Sequence, residues 1–158
     1  MGIIQQLHNL CIAKDFNISV AESCTSGLIA SKITSISGSS SYFKGGVVSY
    51  QNEIKVNILG VSQSLIDIKT EVSSEVVEQM AIKVLRKFDS DFSIATSGYA
   101  GPSGGTEINP VGTVFIAVAS NQNVISRKFV FDGDRESIVN QATASGLRFL
   151  VSEIKKYG

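Results

Sequence analysis

Apolar positions recur at helical spacing in five stretches of the chain, and five shorter apolar or alternating runs between them have the length and content of strands. Ile3, Ile4, Leu7, Leu10 and Cys11 form one stripe, with His8 at its edge as a packing residue. Residues 17–22 read as a strand. A helix follows over residues 25–35, turning Leu28, Ile29, Ile33 and Ile36 inward. After a serine-rich loop at 37–41, residues 45–50 read as a buried strand entered through two glycines, and a short helix over 52–59 stops at Gly60. The strongest pattern covers residues 73–88. Val76, Val77, Met80, Ala81, Val84, Leu85 and Phe88 share a face there, acids stand near the start and bases near the end, as a helix dipole favours. Residues 91–97 read as a strand, 111–119 and 124–131 as a hairpin, and Asp134 as the cap of a last helix to about residue 155, with Ile138, Ala142, Phe149, Leu150 and Ile154 inward. Helices alternating with strands, followed by a hairpin, predict a three-layer α/β/α sandwich around a mixed, mainly parallel sheet with a C-terminal antiparallel hairpin. Residues 1–158 are expected to form a single domain.

Composition narrows the function classes. The chain is 43% hydrophobic and 18% charged, which is globular rather than disordered. Fourteen basic and 14 acidic side chains leave a formal net charge of +0, so no basic field is available to a nucleic-acid backbone. No apolar run approaches the roughly 20 residues of a membrane span, and no signal-peptide layout opens the chain, so a cytoplasmic location is expected. Cys11, Cys24 and the lone His8 give neither a disulfide framework nor metal-ligand spacing. No metal and no cofactor are expected.

Four places could carry chemistry. The first is Glu22-Ser23-Cys24-Thr25-Ser26-Gly27, between a strand and a helix. Free N–H groups at a helix start can hold a phosphate or an oxyanion, and Gly27 would admit a ligand closely. Ser23 sits at the strand end, where ligands gather in open α/β sheets. The competing reading is that Ser23 or Thr25 caps the helix. Cys24, one residue on, should point away from Ser23 and pack inside. The second place is Tyr50 to Lys55. A neutral lysine can serve a serine as base if its pKa falls from about 10.4 toward 7 or 8, roughly 4 kcal/mol of differential interaction. Taken alone, Lys55 is far more often a solvated helix lysine, and Tyr50 more often core than catalytic. The third is Gly98-Tyr99-Ala100-Gly101-Pro102-Ser103-Gly104-Gly105, with Ser97 before it and Thr106 after it. Its amides could wrap a phosphate or ribose, although it matches no nucleotide-binding fingerprint and an extended turn has the same composition. The fourth is Asp132-Gly133-Asp134-Arg135, where Arg135 could reach a phosphate or lie on the surface.

Taken together and in order, these segments resemble one family. They are Ala21-Glu22-Ser23-Cys24-Thr25-x-Gly27, Gly46-x-Val48-x-Tyr50-x-Asn52-Glu53-x-Lys55, Leu59-Gly60-Val61, Val72-Ser73 with Met80-Ala81, Ser97-Gly98-x-Ala100-Gly101-Pro102-x-Gly104-Gly105, Pro110-Val111-Gly112-Thr113-Val114, Gly133-Asp134-Arg135 and Gln141-Ala142. The pattern is similar to the C-terminal domain of the competence/damage-inducible protein CinA over about residues 5–150. The resemblance implies hydrolysis of the nicotinamide mononucleotide amide to nicotinate mononucleotide and ammonia. It assigns Ser23 as nucleophile and Lys55 as base, with Tyr50 in the same pocket, and it implies self-association as a dimer or higher oligomer. The mechanism expected on that basis has N–H groups near Thr25 to Gly27 on the oxyanion, and Glu22 orienting the turn or binding ribose hydroxyls. It sets the phosphate against residues 97–106 or near Arg135. The chain departs from the family pattern at Ser26, Tyr99, Ile108-Asn109 and Asn140. Two other classes fit the same residues: a nucleotide-binding module without turnover, and a structural interaction protein that keeps only the fold.

Overall fold

The computed structural model describes residues 1–157. Its elements run α1 (Ile3–Lys14), β1 (Ile18–Glu22), α2 (Leu28–Ile33), β2 (Phe43–Val48), α3 (Asn52–Ile54) continued by a π-helical turn (Lys55–Leu59), α4 (Gln63–Lys69), α5 (Ser74–Phe88), β3 (Phe92–Gly98), β4 (Thr113–Ser120), β5 (Val124–Val130) and α6 (Arg135–Lys156). The five strands form one sheet in the order β2-β1-β3-β4-β5. β1 pairs parallel with both β2 and β3, while β3–β4 and β4–β5 are antiparallel. Four strands therefore point one way and only β4 points back, which is the mixed sheet with a terminal hairpin that the pattern predicts.

Strand alternation divides the core. Ile18, Val20, Ile94, Val114, Ile116 and Val118 turn to one face and pack with α1, α2 and α6. Ala21, Ala95, Ala117 and Ala119 turn to the other and pack with α4, α5 and the π-helical turn. Large side chains fill the first layer and, Phe115 apart, the buried strand residues of the second are small, so α5 packs directly on β1, β3 and β4. Ser93 and Ser19, buried on that face, are satisfied at this short range: Ser93 Oγ donates to Ala81 O at 2.6 Å and Ser19 Oγ lies 2.6 Å from Ser90 Oγ.

The helix over Ser74–Phe88 begins where Ser73 Oγ accepts from Val76 N, and the last helix begins where Asp134 Oδ1 accepts from Ser137 N at 2.8 Å. Two expectations need correction, and one element stands outside the expected set. The helix expected from residue 25 starts at Leu28, because Ser26 (φ 53°) and Gly27 (φ 94°) adopt left-handed backbone first. The strand read as buried is an edge strand with alternately exposed residues, ending at Val48 rather than Tyr50. Its glycines gave a misleadingly apolar pattern. α4 had no periodic signature: Leu65, Ile66 and Ile68 suit a helix or a strand, and Ile68 is exposed.

Gly46 lies where β2 passes tightly against β1. A Cβ there would come within 2.2 Å of Val20 O and 2.4 Å of Val20 Cγ2. Gly46→Ala is expected to lower unfolding free energy by about 1–3 kcal/mol, read from urea denaturation.

Candidate active site

All four co-directional strands deliver something to one end of the sheet. Ser23 follows β1, Ser49 and Tyr50 follow β2, Ser97 and Gly98 end β3, and Arg135 follows β5. A pocket of about 210 Å³ lies there, and its wall includes Ser23, Tyr50, Lys55, Glu71, Ser97 and Arg135.

Parallel register fixes the first contact. Glu22 pairs with Val48, and Ser49 N donates to Glu22 O at 2.8 Å, so the two strand ends stay level. The chain then folds back through α3 into the π-helical turn, a helix form that recurs at functional sites. Val61 N bonds to Lys55 O at 2.9 Å, and Gly60 (φ 86°) closes the turn. Lys55 and Leu59 are its buried residues. Lys55 is only 1% exposed. Its Nζ lies 3.1 Å from Ser23 Oγ, 2.8 Å from Ser49 O and 3.2 Å from Tyr50 O. A neutral amine has two hydrogens and one lone pair. Two carbonyl acceptors and one hydroxyl suit either form of the group: as an ammonium it donates to all three, and as a neutral amine it donates to the carbonyls and can accept from the Ser23 O–H. Burial lowers the Lys55 pKa below its ordinary value, while the negative charge of Glu71 and then Cys24 oppose the shift.

A chain of hydrogen bonds holds the serine from behind. Glu22 Oε1 accepts from Thr25 Oγ1 at 2.6 Å, so Thr25 Oγ1, 2.8 Å from Thr96 Oγ1, accepts there. Thr96 Oγ1 in turn accepts from Ser23 N at 3.3 Å. Each hydroxyl donates once and accepts once, and the direction is set by the carboxylate. The same carboxylate caps α2, accepting from Ile29 N and Ala30 N at 3.0 Å each.

The structure brings Ser23, Tyr50, Lys55, Ser97, Gly98, Gly101 and Arg135 together in the pocket wall. It does not bring all the expected residues. Glu22 is fully buried with both oxygens engaged, so it orients the turn and is not placed for ribose hydroxyls. Thr25 is buried in the same network, and Gly27 stands outside the wall. Gly104, Gly105 and Thr106 shape the loop instead. A Cβ at Gly105 would meet Val111 N at 2.7 Å, and Thr106 Oγ1 accepts from Asn109 N. Ser97 Oγ is spent on Glu71 O at 2.6 Å. Cys24 packs in the core while bordering the pocket beside Ser23 and Lys55, and burial pushes its thiol up to about 12, which leaves it an inert thiol. The two phosphate positions that the sequence left open are one place. Arg135 Nη1 donates to Gly101 O at 2.6 Å and Nη2 to Tyr50 Oη at 2.7 Å. Asn52, Glu71 and Ser103 also line the pocket. Asn52 stands inside the Tyr50–Lys55 segment and was within reach of sequence reading; Glu71 carried no local signal. Among the described residues no group of His, Cys, Asp and Glu could hold a metal ion, and no helix is long and apolar enough to cross a membrane.

An α/β domain with a buried serine–lysine pair at its strand tips is the class this geometry defines. Residues 2–154 match the CinA C-terminal domain, and the chain belongs to that family. A CinA-like protein of Flavobacterium psychrophilum is 49% identical over 150 residues, and one of Shewanella loihica 43% over 156. The alignments cover 95% and 98% of this chain, which spans only 36% and 37% of those relatives' length. A CinA superfamily protein of Klebsiella pneumoniae superposes with a TM-score of 0.94 at 30% identity, covering 98% of this chain and 96% of that one. A competence/damage-inducible protein of Agrobacterium tumefaciens gives 0.88 at 34%, covering 96% of each.

The depressed lysine pKa has a stability signature. Between that lowered value and the ordinary value of 10.5 the unfolded chain binds more protons at this position than the folded one. Stability therefore rises with pH through that window and is lost as pH falls through the folded value. Comparing wild type with Lys55→Met by denaturation at a series of pH values should show that part of the rise in wild type only.

Proposed function

We propose that this chain is a serine amidohydrolase that converts nicotinamide mononucleotide to nicotinate mononucleotide and ammonia. The observation that carries the reading is the 3.1 Å approach of a buried lysine nitrogen to a serine hydroxyl, with two main-chain carbonyls within 3.2 Å of the same nitrogen. Ser23 Oγ attacks the carboxamide carbon while Lys55 accepts the hydroxyl proton. The resulting ammonium returns that proton to the departing nitrogen, ammonia leaves, and an ester to Ser23 remains. Water, deprotonated by the same amine, attacks the ester, and the carboxylate and free serine are released.

The oxyanion needs N–H donors not already committed. Ser26 N donates to Ser23 O and Leu28 N to Thr25 O, which removes both. Of the turn's remaining N–H groups, that of Cys24 belongs to a residue in the pocket wall and is assigned this task, while Thr25 and Gly27 lie outside the wall. Arg135 uses two N–H groups on Gly101 and Tyr50, and its remaining donors face a phosphate at the rim. The pyridinium ring draws electrons from the amide, so free nicotinamide, lacking both ring charge and phosphate, should be a much poorer substrate.

Ammonia release from nicotinamide mononucleotide tests the reading. Ser23→Ala should abolish it, and Lys55→Ala should lower kcat by at least about 10²-fold with the circular dichroism spectrum unchanged. Nucleotide binding by wild type with no ammonia released would replace the enzyme with a binding module. Arg135→Ala should raise KM with kcat within a few-fold of wild type, as expected for a residue that binds ground state and transition state alike.

A further inference from the structure

The connector between α4 and α5 puts a carboxylate in the pocket that the scheme above leaves unused. Thr70 has φ 68°, a left-handed setting that a β-branched residue keeps only when its surroundings enforce it. The enforcement is visible. Ser73 Oγ donates to Thr70 O at 2.9 Å, Ser97 Oγ to Glu71 O at 2.6 Å, and Asn109 Nδ2 to Val72 O at 3.4 Å. The backbone of Glu71 is thus tied to the tip of β3 and to the glycine loop, and its half-buried side chain stands in the wall that holds Ser23, Lys55 and Arg135.

Among the described residues no protein group pairs with this carboxylate. It takes part in neither ion pair found among the described residues, and its side-chain oxygens accept no hydrogen bond there. Lys69, two residues earlier, bridges to Glu75 at 3.3 Å instead. Lys55 is engaged by Ser23 and two carbonyls, and Arg135 by Gly101 and Tyr50. The charge of Glu71 is nonetheless felt at the reacting end. After burial, it is a cause of the raised Tyr99 pKa, and it opposes the lowering at Lys55. An unpaired carboxylate beside the nucleophile and base favours a positive charge carried by the ligand, at the end where the amide is cleaved.

Resting on the nucleotide-amidase reading, we propose that Glu71 is the counter-ion of the substrate's pyridinium ring, and so the residue that makes this site prefer a cationic carboxamide to a neutral one. The pocket is then polarised to match its ligand, with Arg135 toward the phosphate and Glu71 toward the ring. There is a second consequence for the base. The groups facing Lys55 are the Glu71 carboxylate, the Cys24 thiol and the Ser23 hydroxyl, with the Tyr50 and Tyr99 phenols and the Arg135 guanidinium elsewhere in the wall. Of these, Glu71 is the anion that opposes loss of the Lys55 proton. A bound cation neutralises that field and frees the amine when substrate is present.

The deciding measurement is binding of two probes to Ser23→Ala by calorimetry at pH 7. The probes are nicotinamide mononucleotide and its 1,4-dihydro form, which keeps ribose, phosphate and carboxamide but has a neutral ring. The cationic probe should bind at least about tenfold more tightly. Adding Glu71→Gln, or Glu71→Ala as a second variant, should bring the ratio near one while leaving affinity for the neutral probe unchanged. A ratio that survives both substitutions overturns the proposal. So does an equal loss for both probes, which would make Glu71 a ribose or carboxamide contact. In enzyme with Ser23 intact, Glu71→Gln should move the acid limb of kcat/KM to lower pH, and a limb that stays or moves up also overturns it. If wild type releases no ammonia yet the ring preference depends on Glu71, the reaction falls and the recognition stands. If ammonia is released and the preference ignores Glu71, the reverse holds.

Discussion

A primary amine taken out of water is the constraint around which this molecule is arranged. Leaving a charge buried costs on the order of several kcal/mol unless partners restore what water supplied. Lys55 has three partners within 3.2 Å, two of them main-chain carbonyls that cannot move without unravelling the end of β2. Those carbonyls are on consecutive residues, Ser49 and Tyr50, so the chain must leave the strand sharply and return its lysine beneath its own exit. α3 and the π-helical turn accomplish this within six residues, and Gly60 ends it. Within that turn Lys55 and Leu59 both point inward, one on the serine and one in the core with α5.

Ser23 is held by a separate apparatus on the opposite side of the sheet. Strand alternation sends Glu22 toward α2 and its neighbour Ser23 toward Lys55. The buried carboxylate then does three things at once: it accepts the first free N–H groups of α2, orients Thr25, and through Thr96 fixes Ser23's own amide. A hydroxyl–hydroxyl relay that ends on an anion has only one favourable proton arrangement, which is why two threonines and a glutamate hold the turn more rigidly than their number suggests. Local motif reading set capping of the helix against nucleophilic display as alternatives for this stretch. The two tasks are divided between residues, with Glu22 doing the capping and Ser23 left free.

The elements legible in the sequence were those whose burial is one-sided and periodic: α1, α5, α6, β1, β3 and the hairpin. Those that were not had patterns blurred by context. α4 buries one residue fully, and β2 looked buried because glycines carry no side chain to declare exposure. In the site, Ser23, Tyr50, Lys55 and Arg135 stood in dense, unusual runs and the fold does bring them together. Thr96 and Glu71 stood in unremarkable surroundings. Thr96 sits inside a strand, where threonine is ordinary. Glu71 follows a residue whose positive φ no threonine propensity would suggest. Both matter through what the fold sets beside them, a property that one-dimensional spacing does not encode.

Sheet direction explains why the pocket gathers so many unlike parts. Connections leaving the carboxyl ends of parallel strands diverge and open a crevice. Here β1 lies between two parallel neighbours, so three adjacent connections leave from the same edge, and the reversal at β4 brings the end of β5 back to that edge as a fourth. The antiparallel hairpin thus serves the site as well as the sheet: without β4 turning the chain around, Arg135 would begin its helix at the opposite edge. Because Arg135 is hydrogen-bonded to Gly101 and to Tyr50, it joins the connections after β2, β3 and β5 across the mouth. Lys55 joins those after β1 and β2 at the floor. Two basic side chains therefore close the crevice at two depths. The deep one is desolvated, which lowers its pKa, and the shallow one is exposed. Chemistry and depth act together in that division, because an amine's hold on its proton yields to burial whereas a guanidinium keeps its charge in either setting.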